Sequence, residues 1–188
     1  MNTTRTEGHL ASGEFHLERG EIVLAIALVL LVFIARKAYL FLELEDLEVL
    51  LLPSAMLIEL ITNSSFTFLQ GTGYAFNDLG IIMDRSCGGG HFMITLLGLL
   101  VWWSRSSIIK HPWLPFLLIT VALAFTIIGN VMRVLCSLIA IRIDLTGWIA
   151  KTPTAHQWMG ILVQLALILI AHVLFRTITR KSANVTNA

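Results

Sequence analysis

The chain has 188 residues, 56% of them apolar and 13% charged, with a net charge of +1 and a mean hydropathy of +0.82. That is far more apolar than the core of a soluble domain of this size requires, so the composition points to a membrane protein. The near-neutral charge, without any block of like sign, speaks against nucleic acid or an acidic polymer as partner.

In chain order, residues 1–19 are polar, with Glu7, Glu14 and Glu18, and read as an N-terminal tail. A single membrane-embedded domain is expected over residues 20–178, and a short C-terminal tail over 179–188. A helix needs roughly 20 residues to cross a ~30 Å hydrocarbon layer. Apolar runs that reach this length, alone or with their flanks, are Ile22 to Ala35, Phe92 to Ser104, Pro112 to Met132 and Gln157 to Phe175. The first lacks a small-residue cleavage pattern after it and is kept as a mature span rather than a signal peptide.

The stretch Leu42 to Thr62 carries Glu43, Glu45, Asp46, Glu48, Pro53 and Glu59. Each carboxylate at mid-bilayer would cost about 2.5 to 3.5 kcal/mol, so an interfacial helix is favoured over a fifth span. Asn63 to Ser86 changes to Thr, Ser, Gly and Asn punctuation around Phe66 to Leu69 and Leu79 to Met83, the pattern of a β-hairpin. Cys87 and three glycines then open a helix that runs to Trp102 and Trp103. Pro112 or Pro115 suits the first turn of the next helix, which extends to about Ile141. A polar loop over 142–154 precedes His156, which begins the last helix, with Arg176, Arg180 and Lys181 at its end. The expected fold is an all-α integral membrane protein. It has four or five transmembrane helices, an interfacial helix and a small extracytoplasmic β-hairpin.

Helix length then sorts the polar residues by face. A helix starting at Trp113 uses up ~30 Å by about Met132, so Arg133 lies at the surface opposite Lys110. Cys87 precedes the helix that leads to Lys110, and His156 follows the loop that begins on the Arg133 side. All three share one face. Arg105, Lys110, Arg176, Arg180 and Lys181 give the other face the cytoplasmic signature, which makes the Cys87 face extracytoplasmic and the host the cytoplasmic membrane. With four spans both termini are cytoplasmic; a fifth would put the N-terminus outside.

Cys87 stands near a helix N-terminus, where the macrodipole and free amides favour a thiolate. Gly88 and Gly89 would let a substrate backbone approach and leave amides to hold an oxyanion. Arg133 is costly in an apolar helix and is retained mostly for a partner or a pathway, with Asn130 one turn earlier on the same face. Together Cys87 as nucleophile, His156 as general acid and base, and Arg133 as anion stabiliser divide the work of acyl transfer. His91, four residues after Cys87, competes with His156; Asn130, Gly88, Gly89 and His91 are the candidate substrate-binding groups. Each residue also has a plainer role: an inert cysteine in a glycine-rich turn, an arginine snorkelling to headgroups, a headgroup-level histidine. Cys87 with His91 makes a poor zinc pair, and no phosphate loop, dinucleotide fingerprint or haem attachment is present, so neither metal nor cofactor is expected. Cys136 reads as a packing thiol rather than a disulfide partner of Cys87.

Asp84-Arg85-Ser86-Cys87-Gly88-Gly89, then Asn130-Val131-Met132-Arg133, then His156-Gln157-Trp158-Met159-Gly160 resemble the exosortase/archaeosortase family. With Leu51-Leu52-Pro53-Ser54-Ala55 and Gly71-Thr72-Gly73-Tyr74, the chain looks most like the compact exosortase K subgroup. The resemblance spans roughly Leu47 to Gly160 and departs where the family often has Ser or Ala after the nucleophile, here Gly88. It implies a thiol protease or transpeptidase of protein sorting, acting on exported proteins that carry a C-terminal tripartite sorting signal. Cys87 would cleave near the signature and pass the acyl group to an amine or lipid-linked acceptor among the membrane lipids. A transport or channel subunit using Asn130 and Arg133 as a polar path is the competing class.

Overall fold

The computed structural model describes residues 19–105, 111–142 and 153–186. Five α-helices are present among them: α1 (Arg19–Tyr39), α2 (Glu48–Thr62), α3 (Gly90–Trp103), α4 (Leu114–Arg142) and α5 (Pro153–Thr186). Four of these, α1, α3, α4 and α5, contain segments long and apolar enough to cross a membrane. The fifth, α2, is 15 residues long and so reaches only about 22 Å. That length agrees with its expected exclusion from the spans. Of the expected loop over 142–154, residues 143–152 lie outside the described residues, while Arg142 ends α4 and Pro153 and Thr154 already belong to α5. Of the expected tail over 1–19, residues 1–18 lie outside the described residues and Arg19 opens α1. At the other end, α5 continues through 179–186, which polarity alone had set apart as a tail.

Where the sequence predicts a two-stranded hairpin, the structure has three antiparallel strands in the order β1 (Thr67–Leu69), β2 (Gly73–Phe76), β3 (Ile81–Met83). The missed strand is the central one. Its four residues are all buried, with Thr67 opposite Ala75 on one side and Tyr74 opposite Met83 on the other. A central strand of four residues, begun by a glycine, is too short to declare an alternation of its own. Phe66 closes edge-on over Tyr74 and tilts against Phe76, which fixes the sheet on α2.

α4 is the hub, packing on α2, α3 and α5, while α1 packs on α3. Two apolar clusters divide the interior. One joins Leu51, Ala55 and Ile58 of α2 to Phe76, Met83, Val131 and Val134. The other joins Phe92, Leu96 and Leu100 of α3 to Leu118, Ala122, Leu167 and Ala171. The outer faces of α1 and α5 are apolar too, with Val23, Val29, Phe33, Leu162 and Val173 all around 60% exposed. An apolar surface of this extent on a chain this small has to be covered by something other than water.

Candidate functional site

The strand β3 leads directly into a short 3₁₀ turn, Arg85–Cys87, and every side chain of the tetrapeptide Asp84 to Cys87 has work in it. Asp84 Oδ1 accepts from the Ser86 amide (2.9 Å) and the Ser86 hydroxyl (2.6 Å), capping the turn. Arg85 Nη2 donates to the carbonyls of Tyr39 (3.1 Å) and Leu40 (2.5 Å), a cation at the carbonyl end of α1 where the helix dipole favours it. Ser86 offers its carbonyl to Arg133 Nη1 at 3.1 Å. Cys87 is 8% exposed, a free thiol packed into the α2 and α4 cluster. Arg133 and Asp84 both act on it electrostatically, with opposite sign.

The glycines that follow are packed rather than open. Gly89 has φ +65°, a conformation that favours glycine, and a Cβ there would lie 2.6 Å from Asn130 Oδ1 and 2.9 Å from Thr126. A Cβ at Gly90 would overlap the Tyr39 ring, and one at Gly88 would lie 2.7 Å from the Tyr39 hydroxyl. The space read from sequence as room for a substrate backbone is thus taken, along the Cβ directions, by Tyr39, Thr126 and Asn130. The amides of Cys87 and Gly88 are also committed, to the carbonyls of Asp84 (3.0 Å) and Arg85 (3.1 Å). Donors for an oxyanion must therefore come from Gly89 onward or from Arg133.

Arg133 meets the last helix as well. A Cβ on Gly160 would come within 3.2 Å of Arg133 Nε, so glycine at that position lets α5 close over the guanidinium. His156 stands four residues, one helical turn, before Gly160 in the first turn of α5; its side chain lies outside the described residues. The His91 ring meets Tyr39 edge-on at 4.8 Å. Asn130 is 5% exposed, and its Nδ2 has no hydrogen-bond partner among the described residues. It faces Gly89, behind the Cys87 turn. No group of three metal-binding side chains occurs among the described residues.

Two contributors were missed from sequence. Tyr39 is 46 residues from Arg85 and looks like an ordinary interfacial aromatic at a helix end; nothing local shows that it fills the notch left by Gly88 and Gly90. Arg85 carries a weaker signal, since a basic residue beside a helix terminus is legible only once α1 is known to end nearby.

Comparisons with family models, with curated proteins and with solved structures give no match to this chain. The resemblance to exosortases therefore rests on sequence motifs alone, at 51–55, 71–74, 84–89, 130–133 and 156–160.

Proposed function

We propose that the chain is a multi-pass protein of the cytoplasmic membrane, of exosortase type, that cleaves the C-terminal sorting tail of exported proteins through a Cys87 thioester. The observation that carries this reading is the Arg133 guanidinium, hydrogen-bonded to the Ser86 carbonyl beside Cys87 and covered by Gly160 one turn from His156. A charge on an otherwise apolar helix is expensive, and its placement one peptide from a thiol gives that expense a chemical use. Cys87 Sγ attacks the scissile carbonyl, the proton passing to His156. Arg133 stabilises the oxyanion, and the tetrahedral species collapses as His156 returns the proton to the departing amine of the tail. An amine acceptor, or water, then attacks the thioester and restores the thiol.

Four apolar helices with exposed apolar flanks support insertion in the bilayer. Glu21 and Arg105, paired at 2.7 Å, lie at the end opposite Cys87, and the basic residues of the sequence expected at that end support its being the cytoplasmic one. Asn130 and Arg133 as a transport path are disfavoured by the apolar cluster that fills the α3, α4 and α5 interior beneath them.

The test is C-terminal peptide mass spectrometry of exported proteins from cells carrying Cys87→Ala. Uncleaved tails should accumulate while the variant stays in the membrane at normal level. Normal processing by Cys87→Ala sinks the proposal, and loss on Arg133→Ala alone would favour transport.

A further inference from the structure

Two hollows lie in line along the seam between α1 and α3. The one at the Cys87 end, about 520 Å³, is lined by Arg36, Tyr39, Arg85, His91 and Gln164 together with the backbone of Gly89 and Gly90. No carboxylate is among its lining residues. The second, about 310 Å³, is apolar, with Ala25, Leu28 and Val32 on one wall and Thr95 and Leu99 on the other. Helix register places one hollow below the other. Arg36, Val32, Leu28 and Ala25 follow at steps of three or four along α1, and His91, Thr95 and Leu99 do the same along α3, so each set occupies one helix face.

The basic hollow has the donors that an anion requires. Arg36 and Arg85 both reach His91 electrostatically, and guanidinium forks suit phosphate oxygens. The α3 N-terminus, entered through a left-handed glycine, adds the positive end of a 14-residue helix. Tyr39, more than nine-tenths buried, closes the wall with its ring against His91. Below the cations, the second hollow offers only hydrocarbon contacts, which no small soluble anion would use.

We propose that this seam binds a phospholipid-type amphiphile, with its phosphate ester between Arg36 and Arg85 and an acyl chain laid along Val32, Leu28 and Ala25. The proposal rests on the membrane part of the reading above and not on the thiol chemistry. The bound headgroup sits on the face of the Arg85–Cys87 turn formed by Arg85 and Ser86, so the lipid braces the segment that carries Cys87.

The experiment is native mass spectrometry of the full chain in a neutral detergent, with phosphatidylglycerol, diacylglycerol of the same chains, and inorganic phosphate. Phosphatidylglycerol should be retained about tenfold more tightly than diacylglycerol, the difference expected of one charge-assisted contact. Arg36→Gln, at an exposed position, should remove that difference; Ala25→Trp, which fills the apolar hollow, should weaken phosphatidylglycerol while leaving the melting temperature near that of the wild type. Equal retention of both lipids overturns headgroup recognition. Inorganic phosphate binding as tightly as phosphatidylglycerol overturns the lipid assignment in favour of a soluble anion. Wild-type lipid retention by both variants places any lipid elsewhere and overturns the site. Cys87→Ala should bind lipid normally, so a failed peptidase reading and a failed lipid site are read out separately; release of the chain from membranes by alkaline carbonate sinks the membrane reading and this one together.

Discussion

Two clefts of nearly equal volume, about 530 and 520 Å³, flank the side chain of Arg85. One is acidic, with Glu43, Glu45 and Asp84 beside the β1 to β2 turn at Gly71 and Thr72. The other is basic, with Arg36, Arg85 and His91 at the junction of α1 and α3. The two differ in what builds them. The acidic cleft is made of loop and strand-end residues on the sheet side, whereas the basic one is cut into helix ends held by packed aromatic and glycine surfaces. Changes to the basic side should therefore reach the Cys87 turn, and changes to the acidic side should remain local.

Gly90→Ala is the most direct way to break that contrast. The added methyl overlaps the Tyr39 ring, and overpacking of this kind costs about 1 to 3 kcal/mol. Thermal melting in detergent should show the loss, and Tyr39→Ala in the same chain should recover part of it; a melting temperature unmoved by Gly90→Ala would mean that the α1 to α3 contact is not tight. Arg133→Met comes next. It removes a charged donor from the Ser86 carbonyl, for about 1.5 to 3 kcal/mol of stability, and should lower processing about a hundredfold. Arg133→Lys is expected to recover stability more than processing, because an ammonium lacks the planar fork.

On the acidic side, Glu43→Gln with Glu45→Gln should change stability by less than about 0.5 kcal/mol and leave phosphatidylglycerol retention as it was. A drop in lipid retention would show that the two clefts act as one. Tyr74, under the acidic side, offers a pH test. Burial, and secondarily the charge of Glu48, raise its pKa above the usual 10.0. A raised folded pKa means that the neutral phenol is favoured by folding, so its contribution is full below pH 10 and is lost as pH rises through the folded value. Melting curves between pH 9 and 11 should fall more steeply for the wild type than for Tyr74→Phe. The smallest expected effect is Glu21→Gln at the far end, where the pair with Arg105 is more than a third exposed and is worth about 0 to 1 kcal/mol.

Hydropathy and helix length were enough to find α1, α3, α4 and α5, because each presents an apolar run that no other architecture accommodates. The same arithmetic put Arg133 and Cys87 at one end of the bundle, and the Ser86 to Arg133 hydrogen bond agrees with it. What sequence could not reveal were contacts between distant segments. Tyr39 reaching Gly88 and Gly90, Asn130 facing Gly89, and Gly160 clearing space for Arg133 each depend on how two helices meet. The glycines were legible as close-approach positions, yet the approaching group proved to be the chain itself. Strand β2 escaped notice because four buried residues carry no periodicity.

The attachment of α1 has a mechanical consequence. Only 6% of its apolar window is buried, but it is tied at both ends, by Glu21 to Arg105 and by its last carbonyls to Arg85. Besides its packing on α3, it is held at each end by a polar contact, and one of these is made by the residue two positions before Cys87. Any shift of the end of α1 along its axis would therefore be felt first at Arg85, two residues before the thiol.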